Sequence, residues 1–146
     1  MIEPVSEKNI EEVLPLIREY QKFYKVTDIS DIKNHKFFSQ FGEGEPHGCQ
    51  FMKRSDGAAV GFSTVYFSFA SSITSKVGVL NDLYVLPSER GKGIGRELIK
   101  FSKSYARKMG AARLQWLTAE DNESAQRLYD SMGVKKSSWY FYGYNT

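Results

Sequence analysis

The chain has 146 residues, of which 41% are hydrophobic and 25% charged, and its formal net charge is +3, the profile of one globular domain spanning 1–146 with a core of its own. A lone Cys49 and two well-separated histidines, His35 and His47, exclude a disulfide framework and lead to no expected metal. No apolar run reaches the roughly 18 residues of a membrane span, and the basic residues form no dominant stripe of the kind that grips nucleic acid.

Met1-Ile2-Glu3-Pro4 reads as the start of a globular fold rather than a signal peptide, so the expected compartment is the cytoplasm. Ser6 is positioned to cap a first helix carrying Ile10, Val13, Leu14, Ile17 and Tyr20 at core spacing. A second helix is expected from about Asp31, with Phe37, Phe38 and Phe41, until Gly42-Glu43-Gly44-Glu45-Pro46 breaks it. Cys49 to Lys53 reads as a strand, Ser55-Asp56-Gly57 as a hairpin turn and Ala59 to Phe69 as the partner strand. The polar loop Ser71 to Lys76 leads into a further strand, Val77 to Val85.

A helix is predicted from about Gly93 to Met109, with Ile94, Leu98, Tyr105 and Met109 inward and Gly110 at its C-terminal cap. Lys100, Lys103, Arg107 and Lys108 form its solvated face. Arg113 to Leu117 is the next strand, Asp121 or Asn122 caps a last helix ending before Gly133, and Ser138 to Tyr144 reads as an aromatic-rich strand. The fold class is therefore mixed α/β, with a mostly antiparallel sheet flanked by helices.

Between the strand ending at Val85 and the helix beyond stands Arg90-Gly91-Lys92-Gly93-Ile94-Gly95-Arg96. Glycines at a helix entrance allow close approach of a bulky anion, which the free N–H groups of the first turn and the helix dipole then favour. A dinucleotide fingerprint needs glycine at the sixth position from Gly91, where Arg96 stands, and the P-loop spacing is absent. What remains is Arg90-x-x-Gly93-x-Gly95. A second pattern follows in Asn122-x-x-Ala125-x-x-x-Tyr129-x-x-x-Gly133, where positions 122, 125 and 129 share one helical face.

The pair of patterns resembles the acyl-CoA loop and cofactor helix of the GNAT (Gcn5-related) N-acetyltransferase superfamily, and the element order matches that fold along nearly the whole chain. The resemblance implies an acetyl-CoA-dependent enzyme that passes an acetyl group directly to a primary amine, on a small amine, polyamine, amino acid or peptide. Backbone N–H groups from Arg90 through Gly91, Lys92, Gly93, Ile94 and Gly95 to Arg96 would hold the pyrophosphate. Val85 would pair with the pantetheine arm, and Asn122 and Ala125 would flank it. Asn122 is equally suited to be a plain helix cap.

Tyr129 is the candidate general acid, since a phenol can protonate a departing thiolate; otherwise it is a packing tyrosine. Asp82, the only carboxylate on its strand, is the candidate base or ammonium anchor, or else a structural residue. Asn81 stands where polyamine-type relatives carry a first acid of a Glu-Asp pair, which speaks against a two-carboxylate mechanism. Cys49 reads as a buried strand residue, because direct transfer needs no acyl-enzyme. A non-catalytic acyl-CoA-binding sensor is the alternative function, and the aromatic tail suggests a homodimer.

Overall fold

Asp56 and Gly57 both take left-handed backbone geometry (φ 50° and 81°), which suits a two-residue hairpin. The turn pairs Ser55 with Ala58 and sets the register of β2 (Gly48–Ser55) against β3 (Ala58–Ala70). In this computed structural model, which describes residues 1–146, β3 also pairs antiparallel with β4 (Ser75–Val85). A short β1 (Ile2–Pro4) closes one edge, and β5 (Leu114–Gln115) runs parallel to β4 at the other, giving the order β1-β2-β3-β4-β5.

Side-chain alternation along β2 and β3 divides the core between two faces. Met52 and Phe62 pack with Ile10, Val13, Leu14 and Ile17 of α1 (Ile10–Phe23), and Phe38 of α2 (Asp31–Phe38) joins them. On the opposite face Cys49, Phe51 and Val65 meet Ile99 and Tyr105 of α3 (Ile94–Lys108). The last helix, α4 (Glu123–Asp130), lies beside α3 through Leu128. No helix is long and apolar enough to cross a membrane.

Gly78 marks the tightest crossing, where α3 meets β4 and β5. A Cβ there would stand 2.9 Å from the Ala106 Cβ and 3.2 Å from Leu114 Cδ1. Overpacking of this kind costs about 1–3 kcal/mol. Gly78→Ala is therefore expected to lower stability by that amount in denaturant titration, and an unchanged midpoint would contradict the close approach.

The structure corrects three expectations and adds one strand that the sequence did not announce. Ser6 does not cap α1; its carbonyl accepts from Asn9 and Ile10 in a preceding turn, and Asn9 holds the cap position. Ile2–Pro4 forms a strand because it lies against Phe51–Lys53 of β2, a pairing no local pattern reveals. The strand expected over Arg113–Leu117 shrinks to Leu114–Gln115, paired only with Gly78 and Val79. Finally, Ser138 to Tyr144 is not a strand. Strand propensity expresses fit to a neighbouring pleated surface, and no strand lies alongside the tail.

Candidate functional site

Register is interrupted once between β3 and β4. Thr64 faces Asp82, while Val65 faces Leu80, which leaves Asn81 as an extra residue on β4. A one-residue bulge reverses the facing of everything beyond it. Leu80 accordingly packs toward α3, whereas Tyr84 packs toward α1. Asp82 shares the facing of Tyr84 and so points to the α1 side, which an uninterrupted strand would have denied it.

There Asp82 completes a polar row across three strands. Gln50 pairs with Thr64, and Thr64 with Asp82. All three side chains are buried, and Gln50 Nε2 donates to Thr64 Oγ1 at 3.3 Å. Asn81 Nδ2 donates to Asp82 Oδ1 at 3.1 Å, yet Asp82 Oδ2 and Gln50 Oε1 have no partner. Buried polar atoms without partners are rare and mark places where something else is expected to bind. Burial raises the Asp82 pKa above the usual carboxylate value, while the neighbouring polar groups of Tyr20, Thr64 and Asn81 pull it down.

Tyrosines surround this carboxyl group. Burial, with the Asp82 charge, keeps the phenols of Tyr20, Tyr24 and Tyr66 protonated. Tyr20 donates to the Asn81 carbonyl at 3.5 Å, and its ring lies 4.9 Å from that of Tyr24. None of these residues, nor Gln50 and Thr64, was singled out as functional from sequence. Tyr20 reads there as one more core position. The available signal was a polar pair, Gln50 and Thr64, inside otherwise apolar strands.

The outer edge of β4 supplies the second component. β5 pairs only with Gly78 and Val79, so the edge from Leu80 to Val85 has no strand partner on that side. Immediately beyond, Gly91 and Gly93 adopt left-handed φ of 80° and 84°, a region costly for any other residue, and Gly93 holds the N-cap of α3 without a side-chain cap. Glu97 N–H donates to the Gly93 carbonyl at 3.0 Å, so the N–H groups ahead of it have no partner within the helix. Ile94 is buried against Val60 and Leu98 and anchors that first turn.

Side chains brace the turn. Arg90 Nε donates to the Val85 carbonyl at 2.9 Å, Lys92 pairs with Glu89 at 2.9 Å, and Arg96 donates to Ser131 Oγ at 2.7 Å. Gly95 has a different use, since a Cβ there would meet Leu128 Cδ2 of α4 at 3.2 Å. This close approach joins the two sequence patterns in space.

On α4, Asn122 is the N-cap, with Oδ1 accepting from Ala125 N–H at 3.3 Å. Asn122, Ala125 and Tyr129 are all half-buried, as one shared face requires. The Tyr129 ring packs on Trp116 at 5.3 Å, and its hydroxyl makes no hydrogen bond within the protein. Burial raises its pKa, with a further contribution from Tyr24. The charge of Asp82 contributes to raising the Tyr24 pKa, and Tyr24 in turn contributes to raising that of Tyr129. Cys49 lies apart: it is fully buried, its thiol pushed up to about 12, and it offers no thiolate nucleophile.

The family model for the acetyltransferase (GNAT) family matches residues 12–134. A D-amino-acid N-acetyltransferase of Saccharomyces cerevisiae is 30% identical over 137 residues, covering 92% of this chain and 84% of its own. An uncharacterized N-acetyltransferase of Bacillus subtilis is 29% identical over 126 residues, covering 86% and 83%. The crystal structure of a probable acetyltransferase superposes with a TM-score of 0.86 at 26% identity, covering 100% of this chain and 97% of that one.

Proposed function

This chain belongs to the acetyltransferase (GNAT) family and is an N-acetyltransferase, and from that premise we propose that it moves the acetyl group of acetyl-CoA directly to a small cationic primary amine. The observation that carries the acceptor side is the buried Asp82 carboxyl group, with one oxygen unpartnered and tyrosines around it. Ammonium groups favour both a carboxylate and the faces of aromatic rings.

The unpaired β4 edge and the left-handed glycine turn fit an extended acyl-CoA arm ending in a pyrophosphate. The backbone of Val85, the turn from Arg90 to Arg96, and Asn122 with Ala125 are its proposed contacts. Bound there, acetyl-CoA supplies an activated thioester. An amine reaches the cleft as an ammonium ion and must lose a proton before it can attack. Asp82, whose pKa is raised, takes up that proton. Tyr129, kept protonated, gives a proton to the departing sulfur. The proposed compartment is the cytoplasm.

The test is release of free thiol from acetyl-CoA, with D- and L-amino acids, polyamines, aminoglycosides and basic peptides as acceptors. Turnover is expected with small amines that carry their charge next to an accessible amino group. Calorimetric binding of acetyl-CoA with no turnover across all classes would favour a sensor, and no binding would remove the role given to the glycine turn.

A further inference from the structure

Three polar side chains occupy a layer where hydrophobic ones would pack more easily. On the α1 face of the sheet, Gln50, Thr64 and Asp82 lie side by side across β2, β3 and β4. The next row on that face is Met52, Phe62 and Tyr84, all part of the apolar cluster with α1. Gln50 and Thr64 are both 0% exposed, so neither presents a surface to a substrate. Burying polar groups this deeply is costly unless they are hydrogen-bonded.

The row has a direction. Gln50 Nε2 donates to Thr64 Oγ1 at 3.3 Å. A hydroxyl that accepts keeps its own hydrogen to give elsewhere. Thr64 stands directly across from Asp82, where its polar group helps hold the carboxyl charge against burial. With the amide turned the other way, Oε1 would take the Thr64 hydrogen and draw it from Asp82. The orientation present leaves Gln50 Oε1 without a partner instead. An orphaned amide oxygen is what a row directed at Asp82 requires.

We propose that Gln50 is a positioning residue that acts on Asp82 through Thr64: its amide fixes the Thr64 hydroxyl as a donor to the carboxylate, and the row steadies and aims that charge. Its bearing on catalysis rests on the acetyl-transfer reading, whereas the row itself does not. The titratable groups facing Asp82 are Tyr20 and Tyr24 of α1, Tyr66 of β3 and Tyr84 beside it on β4. The first three are held protonated, and Asp82 takes part in no ion pair. Neutral groups alone, Thr64 with Tyr20 and Asn81, therefore offset its burial.

The test follows the Asp82 carboxyl carbon by NMR as pH is raised, in the chain without any cofactor, the signal being identified by its loss in Asp82→Asn. Thr64→Val keeps the shape of the side chain and removes the hydroxyl. The Asp82 midpoint is expected to rise by about one pH unit, the effect of one hydrogen bond to a charged group, and Thr64→Ser is expected to restore it. Gln50→Leu is expected to raise the midpoint by less. It should add nothing in the double variant with Thr64→Val, where its route to Asp82 is already cut. Apolar replacements in an apolar layer keep the fold, and melting curves check it. In turnover, the acid limb of kcat/KM is expected to move alkaline in step with each midpoint. A Gln50→Leu midpoint equal to wild type overturns the proposal, as do shifts that add in the double variant. Midpoints that move as expected under a fixed acid limb support the row and overturn the reading of Asp82 as base, so the two failures are distinct.

Discussion

Asp82→Asn is expected to lower kcat by about 10²–10⁴-fold, the usual range for loss of a general base, while making the folded chain more stable wherever the wild-type carboxyl group is ionised. Both effects arise from one fact. The carboxyl group lies 5% exposed with Oδ2 unpartnered, so burial raises its pKa above the ordinary carboxylate value. A group whose folded pKa lies above its unfolded value favours the fold below the unfolded pKa. That contribution is lost as pH rises through the folded pKa. Above its folded pKa wild type therefore carries a buried charge that the Asn variant lacks, and in that range the variant gains on the order of 1 kcal/mol. The gap in melting temperature between the two should close in acid and open as pH rises. Catalysis should follow the opposite sense. Wild-type kcat/KM is expected to climb on an acid limb lying above the ordinary carboxylate range, and that limb should vanish in the variant. An unchanged kcat would remove Asp82 from the mechanism.

The position of Asp82 was legible in the sequence, but the reason it can act was not. Its strand reads Leu80-Asn81-Asp82 without any glycine or proline to announce a bulge. The bulge exists only in the register of β4 against Thr64 and Val65, a nonlocal property. Without it, Asp82 would share the facing of Leu80 and point into the apolar layer beneath α3. The tyrosines that ring it come from α1 and β3, more than ten residues away in sequence, and their periodicity reports burial rather than function.

Where local chemistry decides the structure, reading was easier. Asp56-Gly57 encodes a turn, Gly110 with φ 91° ends α3, and the glycines at 91 and 93 adopt the left-handed geometry that only glycine takes readily. The two site patterns were legible because each is a spacing on a single element. Their meeting through Gly95 and Leu128 was not. The tail shows the converse failure. Its alternating aromatics have the composition of a strand, but a strand also needs an edge beside it, and none lies alongside Ser138 to Tyr144.

Tyr129→Phe is expected to lower kcat by about 10²–10³-fold, within the range for a lost general acid, with little change in the KM for acetyl-CoA. Loss of kcat without loss of binding identifies an interaction made only as the reaction proceeds. The substitution is clean because the hydroxyl makes no hydrogen bond within the protein. The ring keeps its packing on Trp116 at 5.3 Å, so stability should stay within about 0.5 kcal/mol of wild type. Burial and Tyr24 raise the phenol pKa, so the acid form persists into alkaline solution. Wild-type activity should then fall only as pH rises through that raised value, and the Phe variant should lack this basic limb. A packing tyrosine predicts the reverse: small effects on kcat and an unaltered pH profile. A donor whose leaving group needs no proton separates the roles further. With an acetyl donor that releases a more acidic thiol, the penalty of Tyr129→Phe should shrink while that of Asp82→Asn persists, because the attacking ammonium must still lose its proton.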